Sequence, residues 1–223
     1  MRNTDYFKDK KVTVVGLGRS GLAAANLLYD LGADVSVTEN QNNDSISSNL
    51  AKIRAKNIKV EIGRHTQEFI RSKDLIIVSP GIPETALPIV WASQFKIPII
   101  SEIELAWILC PATVIAVTGS NGKTTVTTLI SKILEAKGER VFICGNIGNP
   151  FSGEVQKMQS GDFVSLEVSS FQLEKIQTFK PKVSVILNFT YNHLDRYKDM
   201  QEYLKSKKRI FINQDKSDFL VLN

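Results

Sequence analysis

The stretch of the chain with the clearest chemistry runs from Thr118 to Thr125 and reads Thr-Gly-Ser-Asn-Gly-Lys-Thr-Thr. An apolar, β-branched run at 113–117 comes before it, and a run with helical periodicity at 126–137 follows it. At the start of such a helix the backbone N–H groups are unpaired and the macrodipole is positive, and Lys123 adds a full charge. We therefore expect an anion to bind here.

This loop matches a common phosphate-binding template only in part. The template G-x-x-x-x-G-K-[ST] requires glycine at position 117, where this chain has Val117, whereas Gly122-Lys123-Thr124 fits its end. We predict that Lys123 contacts nucleotide phosphates and that the Thr124 hydroxyl ligates Mg²⁺; the alternative is an ordinary strand-to-helix turn with a solvated lysine. The residues predicted to bind the nucleotide are Gly119, Ser120, Asn121, Gly122, Lys123, Thr124 and Thr125.

A second glycine loop lies near the N-terminus, where Gly16-Leu17-Gly18-Arg19-Ser20-Gly21 follows the apolar strand 12–15. Apolar residues at helical spacing come next, Gly32 is placed to cap that helix, and the following strand, 34–38, ends at Glu39. This is the G-x-G-x-x-G fingerprint of a Rossmann-type unit, with an acidic residue placed for a ribose-like hydroxyl. The pattern favours a ligand with a diphosphate, and it leaves open NAD or an empty structural turn.

Ligands for a cation are expected at the ends of two later strands. Glu167 lies inside an apolar strand, where a buried carboxylate is costly unless it is paired or binds a cation. If their strands are neighbours, Thr124 and Glu167 would share a Mg²⁺ ion; a partly exposed strand end is the alternative. His193 follows the strand 183–187 and is the better ligand candidate of the two histidines, since His65 is expected at the surface.

Lys207 stands on the apolar stripe of a predicted helix that begins at Met200. The stripe consists of residues three and four apart: Met200, Tyr203, Leu204, Lys207, Ile210 and Phe211. A lysine that faces the core either snorkels to the surface or loses its hydration, which lowers its pKa and makes the amine nucleophilic. The second case would suit carbamylation by CO₂, and periodicity does not choose between the two.

Short apolar strands alternate with helices along the whole chain, which predicts α/β domains with parallel sheets. We expect a Rossmann-like domain over 1–111 and a P-loop-type α/β ATPase domain over 112–223, because a new strand and the phosphate loop follow Pro111 directly.

Two local patterns complete the predicted elements. Residues 40–48 are rich in Asn, Ser and Gln and indicate a loop, which a short helix at 48–56 would follow. Ser169 or Ser170 is placed to cap another helix, with Glu174 in support.

The composition is that of a globular protein without a membrane anchor. Of 223 residues, 43% are hydrophobic and 23% charged, and no apolar run is long enough to span a bilayer. The polar start lacks the apolar core of a signal peptide, and Cys110 and Cys144 have no metal-type spacing, so a reducing cytoplasm is expected. The net charge of +5 suits a polyanionic ligand, although a solvated helix face between Arg196 and Arg209 would account for most of it. We expect a cytoplasmic monomer with no nucleic acid and no membrane partner.

Together these motifs resemble those of the Mur ligases of peptidoglycan synthesis, over essentially the whole chain. The matching segments are Gly16–Gly21, Ser79-Pro80-Gly81, Thr118–Thr125, Gly145-Asn146-Ile147-Gly148, Glu167–Glu174, and His193–Tyr197 followed by Tyr203 and Lys207. Ser-Ser-Phe-Gln-Leu-Glu at 169–174 is similar to the members that add D-glutamate, because the members that add meso-diaminopimelate or lysine typically have histidine in place of Phe171. The phosphate loop without glycine at 117 is also the form that this family uses.

The resemblance implies an ATP-dependent ligase that adds D-glutamate to UDP-N-acetylmuramoyl-L-alanine through an acyl phosphate, and so a part in cell-wall biogenesis, cell shape and cell division. The substrate-binding residues it implies are Arg19, Ser20, Glu39, Ser79, Gly81, Asn146 and Ser169, of which Asn146 would contact the muramoyl portion. The catalytic residues it implies are Lys123, His193 and Lys207. Thr124 with Glu167 would hold one Mg²⁺ ion, and His193 with carbamylated Lys207 a second.

Two features depart from that family. Gln41 stands where the family can offer an arginine to the uridine site, which puts that contact in doubt. The family also has a third domain, which supplies most D-glutamate contacts, and its central domain continues beyond the length of this chain. We therefore expect a fragment that is not fully active alone, with an NAD(P)-dependent oxidoreductase and a non-catalytic nucleotide-binding module as the alternatives.

Overall fold

The computed structural model describes residues 4–190 and 197–223, and these form two compact units. The first comprises the described residues up to Leu105, and the second those from Ala106 onward. The division falls within a helix, before the boundary expected after Pro111. The assignment of 1–111 and 112–223 to functional domains stays a prediction.

The first unit alternates strands and helices. Its elements are β1 (Lys11–Val15), α1 (Arg19–Asp30), β2 (Asp34–Glu39), α2 (Asp44–Leu50), β3 (Lys59–Ile62), β4 (Leu75–Val78), α3 (Leu87–Gln94) and β5 (Ile99–Ser101), with 3₁₀ helices at Thr4–Tyr6 and Gln67–Phe69. Helix α4 (Glu102–Leu109) runs across the division. The strand order is β3-β2-β1-β4-β5, with all pairings parallel. Because the strand order reverses at β1, the glycine loop after β1 lies at the point where open sheets bind ligands.

The second unit repeats this architecture. Its elements are β6 (Thr113–Thr118), α5 (Lys123–Ala136), β7 (Val141–Gly145), α6 (Phe151–Glu154), β8 (Phe163–Glu167), α7 (Ser170–Leu173), β9 (Val183–Ile186), α8 (Met200–Lys208) and β10 (Phe219–Leu222), with 3₁₀ helices at Val155–Lys157 and Arg209–Phe211. The order is β10-β9-β6-β8-β7, again parallel. Strand β6 is central, so the loop that follows it lies between the ends of β8 and β9.

The central strands carry the core of each unit. All four residues of β4 are buried, as are the last four of β1 and of β8. Because successive side chains of a strand point to opposite faces, burial of consecutive residues shows that both faces of the sheet are covered. The predicted α/β class with parallel sheets is therefore confirmed. No helix in the described part of the chain is long and apolar enough to cross a membrane.

Two local predictions were wrong. Helix α2 begins at Asp44, not at 48, because the Asn43 side chain accepts a hydrogen bond from the Ile46 N–H and caps the helix earlier. Ser169 does cap α7, but its partner is Gln172, whose side-chain oxygen accepts a bond from the Ser169 N–H at 2.9 Å. Glu174, the partner that was predicted, accepts a bond from the Tyr197 hydroxyl instead.

Candidate functional site

The loop between β6 and α5 presents the start of a long helix at the end of the central strand. Gly122 is the N-cap of α5 and has a φ of +77°, a left-handed conformation that glycine adopts without strain. The helix then begins at Lys123 and runs for 14 residues. This strand, loop and helix form the expected arrangement for an anion site.

Two lysine amines meet at the carbonyl oxygen of Gly119. Lys123 Nζ donates to the carbonyls of Gly119 and Ser120, both at 3.0 Å. Lys207 Nζ donates to the same Gly119 oxygen at 2.9 Å, although Lys207 comes from helix α8. The phosphate loop therefore holds two amines close together in the second unit.

Lys207 is buried, which decides between the snorkelling and the desolvated lysine that periodicity left open. Its side chain is only 2% exposed, and its Nζ lies 4.6 Å from the centroid of the Tyr203 ring. Burial, and then the positive charge of Lys123, lower the pKa of Lys207 to about 7. A substantial fraction of its amine is therefore neutral near neutral pH.

Strands β6 and β8 are neighbours, and this brings Thr124 and Glu167 together. The Thr124 hydroxyl donates to Glu167 Oε2 at 2.8 Å, and Asn146 Nδ2 donates to Glu167 Oε1 at 2.8 Å. Glu167 is 1% exposed, so the alternative of a partly exposed strand end was wrong. Both donors are uncharged, so these two bonds give the buried carboxyl group no cationic partner.

These groups fit a magnesium ion. Hydroxyl and carboxylate oxygens are the ligands that Mg²⁺ prefers, and a cation would compensate the charge of the buried Glu167. Within residues 4–190 and 197–223, no group of three or more His, Cys, Asp or Glu side chains could hold a metal ion. His193 lies outside the described residues, so the predicted pairing of His193 with Lys207 stays a prediction.

Three aromatic rings, from α7, from α8 and from the residue Tyr197 before α8, pack beside Lys207. The Tyr197 ring stacks on Phe171 at 5.9 Å and lies 5.2 Å from the Tyr203 ring. Burial raises the pKa of Tyr197, so its hydroxyl stays protonated and donates to Glu174 at 2.7 Å. Residues from two of the segments that carried the resemblance are thus in contact.

Asn188 also contacts the phosphate loop, a role that was not predicted from the sequence. Its Oδ1 accepts hydrogen bonds from the N–H groups of Ser120 and Asn121, at 3.1 and 2.9 Å. The only signal in the sequence is a polar residue directly after a buried strand, which is too common to single out. Because β9 pairs with β6, the Asn188 side chain lies next to the phosphate loop that follows β6.

In the first unit, the glycine loop after β1 is shaped by close backbone contacts. A Cβ atom on Gly21 would lie 1.9 Å from the Gly16 carbonyl oxygen, so only glycine fits there, whereas a Cβ on Gly18 would meet nothing within 4 Å. The Ser79 hydroxyl donates to the Gly16 carbonyl at 3.2 Å. The predicted substrate residue Ser79 is therefore a neighbour of the glycine loop in this unit.

Glu39 supports this loop directly. Its Oε2 accepts a bond from the Leu17 N–H and its Oε1 from the Gln41 N–H, both at 2.7 Å, and the residue is 8% exposed. Of the other predicted substrate residues in this unit, Arg19 and Gly81 are exposed and Ser20 is half-buried. The carboxylate thus orders the loop, and a ligand would have to share its oxygens with backbone N–H groups.

His65 is half-buried against the end of β2, which corrects the prediction that it lies at the surface. Its Nδ1 lies 2.7 Å from the Thr38 hydroxyl, which also donates to Glu61 at 3.0 Å. Burial lowers the pKa of His65, although the charges of Glu39 and Glu61 oppose this change. The residue is a hydrogen-bonded part of the sheet edge.

Comparison with known proteins identifies both halves of the chain. The family described as "Mur ligase MurD-like, N-terminal domain" matches residues 10–101, and "Mur ligase middle domain" matches residues 117–223. The UDP-N-acetylmuramoylalanine–D-glutamate ligase of Citrifermentans bemidjiense is 45% identical over 216 residues, covering 97% of this chain and 48% of the relative. The ligase of the same name from Thermoanaerobacter pseudethanolicus is 41% identical over 216 residues, with the same coverage. The chain spans about half the length of these curated relatives.

Solved structures agree on the fold. The UDP-N-acetylmuramate:L-alanyl-gamma-D-glutamyl-meso-diaminopimelate ligase from Neisseria meningitides superposes with a TM-score of 0.62 at 19% identity, covering 96% of this chain and 71% of that one. The UDP-N-acetylmuramate-alanine ligase from Thermotoga maritima gives 0.57 at 21% identity, with 96% and 49% covered. With two Mur ligase domains matched in order and this fold in both units, the chain belongs to the Mur ligase family.

Proposed function

We propose that this chain provides the UDP-substrate-binding and ATP-binding domains of a ligase that adds D-glutamate to UDP-N-acetylmuramoyl-L-alanine. The observation that carries the proposal is the convergence of Lys123, Lys207 and the Thr124–Glu167 pair around the loop after β6. The names of the curated relatives support the choice of substrates. The protein would act as a monomer in the cytoplasm, in peptidoglycan synthesis.

The reaction would begin with transfer of the ATP γ-phosphate to the substrate carboxylate. Both reactants are anions, so the site must offset their repulsion and stabilise charge that develops during transfer. The Lys123 amine, now bonded to two loop carbonyls, would exchange these for phosphate oxygens, together with the N–H groups at the start of α5. The D-glutamate amine would then attack the acyl phosphate, and the tetrahedral intermediate would expel phosphate.

The Thr124–Glu167 pair is proposed as a magnesium site. When bound there, Mg²⁺ would neutralise charge on the phosphates. Thr124 can offer an oxygen lone pair to an ion while its hydroxyl hydrogen stays bonded to Glu167, and Asn146 holds the other carboxylate oxygen in place. Carbamylation would require the neutral amine of Lys207, which its lowered pKa supplies, and it would convert the amine into an oxygen ligand for a second ion with His193.

Substrate contacts are assigned to both units. Arg19, Ser20, Ser79 and Gly81 would contact the uridine diphosphate around the loop that Glu39 orders. Asn146 is proposed for the muramoyl portion and Ser169 for the reacting end. Both side chains have partners in this structure, Glu167 and Gln172 respectively, so substrate would have to share or replace them.

Calorimetry on this chain tests the proposal with three ligands: UDP-N-acetylmuramoyl-L-alanine, ATP with Mg²⁺, and NADH. We expect binding heat from the first two and none from NADH. Lys123→Ala should weaken ATP binding by about tenfold or more, since a charged contact to phosphate is lost. Lys132→Ala is the matched control, because Lys132 is on the same helix and pairs with Glu135 at the surface.

The two alternative functions, an oxidoreductase and a non-catalytic nucleotide-binding module, predict different results in these experiments. Heat from NADH without heat from the muramoyl nucleotide would assign the chain to the oxidoreductases and contradict the proposal. Binding of ATP and the muramoyl nucleotide, without phosphate release when D-glutamate is added, would leave this chain as a nucleotide-binding module of the longer ligase.

A further inference from the structure

Asn188 is the second residue after β9, and its side chain contacts three consecutive peptide groups of the phosphate loop. Its Oδ1 accepts from the N–H of Ser120 at 3.1 Å and from the N–H of Asn121 at 2.9 Å. Its Nδ2 donates to the carbonyl of Asn121 at 3.0 Å. The Asn188 carboxamide thus accepts from two successive backbone N–H groups and donates to the backbone carbonyl that follows them.

The direction of these bonds determines where the other end of each peptide group points. A trans peptide is planar with its N–H and C=O on opposite sides, and the described residues contain no cis peptide. In the first two groups, the N–H faces Asn188, and the carbonyls of Gly119 and Ser120 accept bonds from the lysine amines. In the third group the carbonyl faces Asn188, so the Gly122 N–H points toward the side of the amines.

This reversal matters for an anion. Beside two amines, an N–H group adds a donor for a phosphate oxygen, whereas a carbonyl in its place would repel that oxygen. The left-handed conformation of Gly122, with a φ of +77°, permits the reversal without strain. The donor supplied by Asn188 Nδ2 is what holds the third carbonyl away from the site.

We infer that Asn188 is a positioning residue for the phosphates of ATP, acting through the orientation of these three peptide groups. It touches no reacting atom itself. The inference rests on the proposed function in one respect, since ATP is the source of the phosphates. It adds a residue to the site and explains why the loop offers a donor at Gly122.

The loop has other attachments, so a substitution at Asn188 can be tested in a folded protein. The Thr190 N–H donates to the Ser120 hydroxyl oxygen at 3.0 Å, and the Leu187 N–H donates to the Thr118 carbonyl at 3.0 Å. Neither bond uses the Asn188 side chain. Removing the carboxamide should therefore free the second and third peptide groups to turn. The first keeps the bond of the Ser120 N–H to the main-chain carbonyl of Asn188 at 3.2 Å, so the loop stays beside β9.

Two substitutions separate the contributions of the carboxamide. Asn188→Ala removes all three bonds, whereas Asn188→Asp keeps an acceptor for two N–H groups but places a carboxylate oxygen against the Asn121 carbonyl. Asn213→Ala is the matched control, because Asn213 Nδ2 also donates to backbone carbonyls, of Gln177 and Phe179, away from the loop. Calorimetry with Mg²⁺ and ATP should show about tenfold weaker binding for both Asn188 variants and no change for Asn213→Ala.

Amide hydrogen exchange in the ligand-free chain supplies a second measurement. Asn188→Ala should speed exchange of the Asn121 amide by about tenfold, while Asn188→Asp leaves it protected. The Ser120 amide keeps its bond to the main-chain carbonyl of Asn188 in both variants and serves as the internal reference. An Asn188→Ala variant that binds ATP like the wild type would overturn the inference, and so would unchanged exchange at the Asn121 amide. If the wild-type chain binds no ATP, the proposed function fails, and the exchange rates still decide whether Asn188 orients the loop.

Discussion

Raising the pH should stabilise the second unit through Lys207. Burial lowers the pKa of this amine from 10.5 to about 7, so between these pH values the unfolded chain holds a proton that the folded unit lacks. The free energy of unfolding must then rise with pH in this window, because the unfolded state binds more protons. The cost of burying the charged amine is present below pH 7 and is relieved above it.

The magnitude follows from the size of the pKa change. One pKa unit corresponds to about 1.4 kcal/mol, so the linkage amounts to about 2 kcal/mol between pH 7 and pH 9. Lys207→Met fills a similar volume without a titrating group and should lack this increase. The difference in stability between the two proteins should therefore grow in favour of wild type as pH rises.

Urea unfolding at pH 7, 8 and 9 measures this difference. Trp107 lies in the second unit and Trp91 in the first, so a Trp91→Phe background makes Trp107 fluorescence report the unit that contains Lys207. Lys205→Met is the control, because Lys205 is exposed on the same helix. Stability curves of wild type and Lys207→Met that stay parallel across this range would refute a depressed pKa at Lys207.

Three further predictions concern Gly21 in the glycine loop, the buried carboxylate of Glu167, and the hydrogen bonds that Glu39 accepts in the first unit. Gly21→Ala should destabilise the first unit by about 3 kcal/mol or more, because its Cβ would lie 1.9 Å from the Gly16 carbonyl oxygen. Gly18→Ala, with open space, should change urea stability little; equal losses would contradict the steric argument. Glu167→Gln should weaken ATP binding in Mg²⁺ by about tenfold but change metal-free binding little, and calorimetry showing equal losses would argue against a cation at this carboxylate. Glu39→Gln leaves one of two N–H groups without an acceptor, so thermal unfolding should show a loss of about 1–3 kcal/mol. An unchanged melting temperature would show that these bonds contribute nothing.

Much of the fold and part of the site follow from local patterns. Apolar runs such as 75–78 predicted buried strands because both faces of a parallel sheet are covered, and Gly32 was correctly placed after a helix, with a φ of +78°. The start of α2 was missed because the capping residue, Asn43, lies in a stretch where many polar residues could serve equally well. Which residue caps a helix depends on the backbone conformation at that position, and residue type alone does not specify it.

The sequence by itself determined which groups are available: a glycine loop with Lys123, a carboxylate in an apolar strand, and a lysine on an apolar stripe. Only the tertiary structure decided which of them meet. The order β9-β6-β8 brings Glu167 to Thr124 on one side of the phosphate loop and Asn188 to its backbone on the other. Strand order depends on packing between segments far apart in the chain, so no local pattern specifies it. For the same reason the burial that lowers the pKa of Lys207 could be suspected from periodicity but was established by the packing of α8 against the loop.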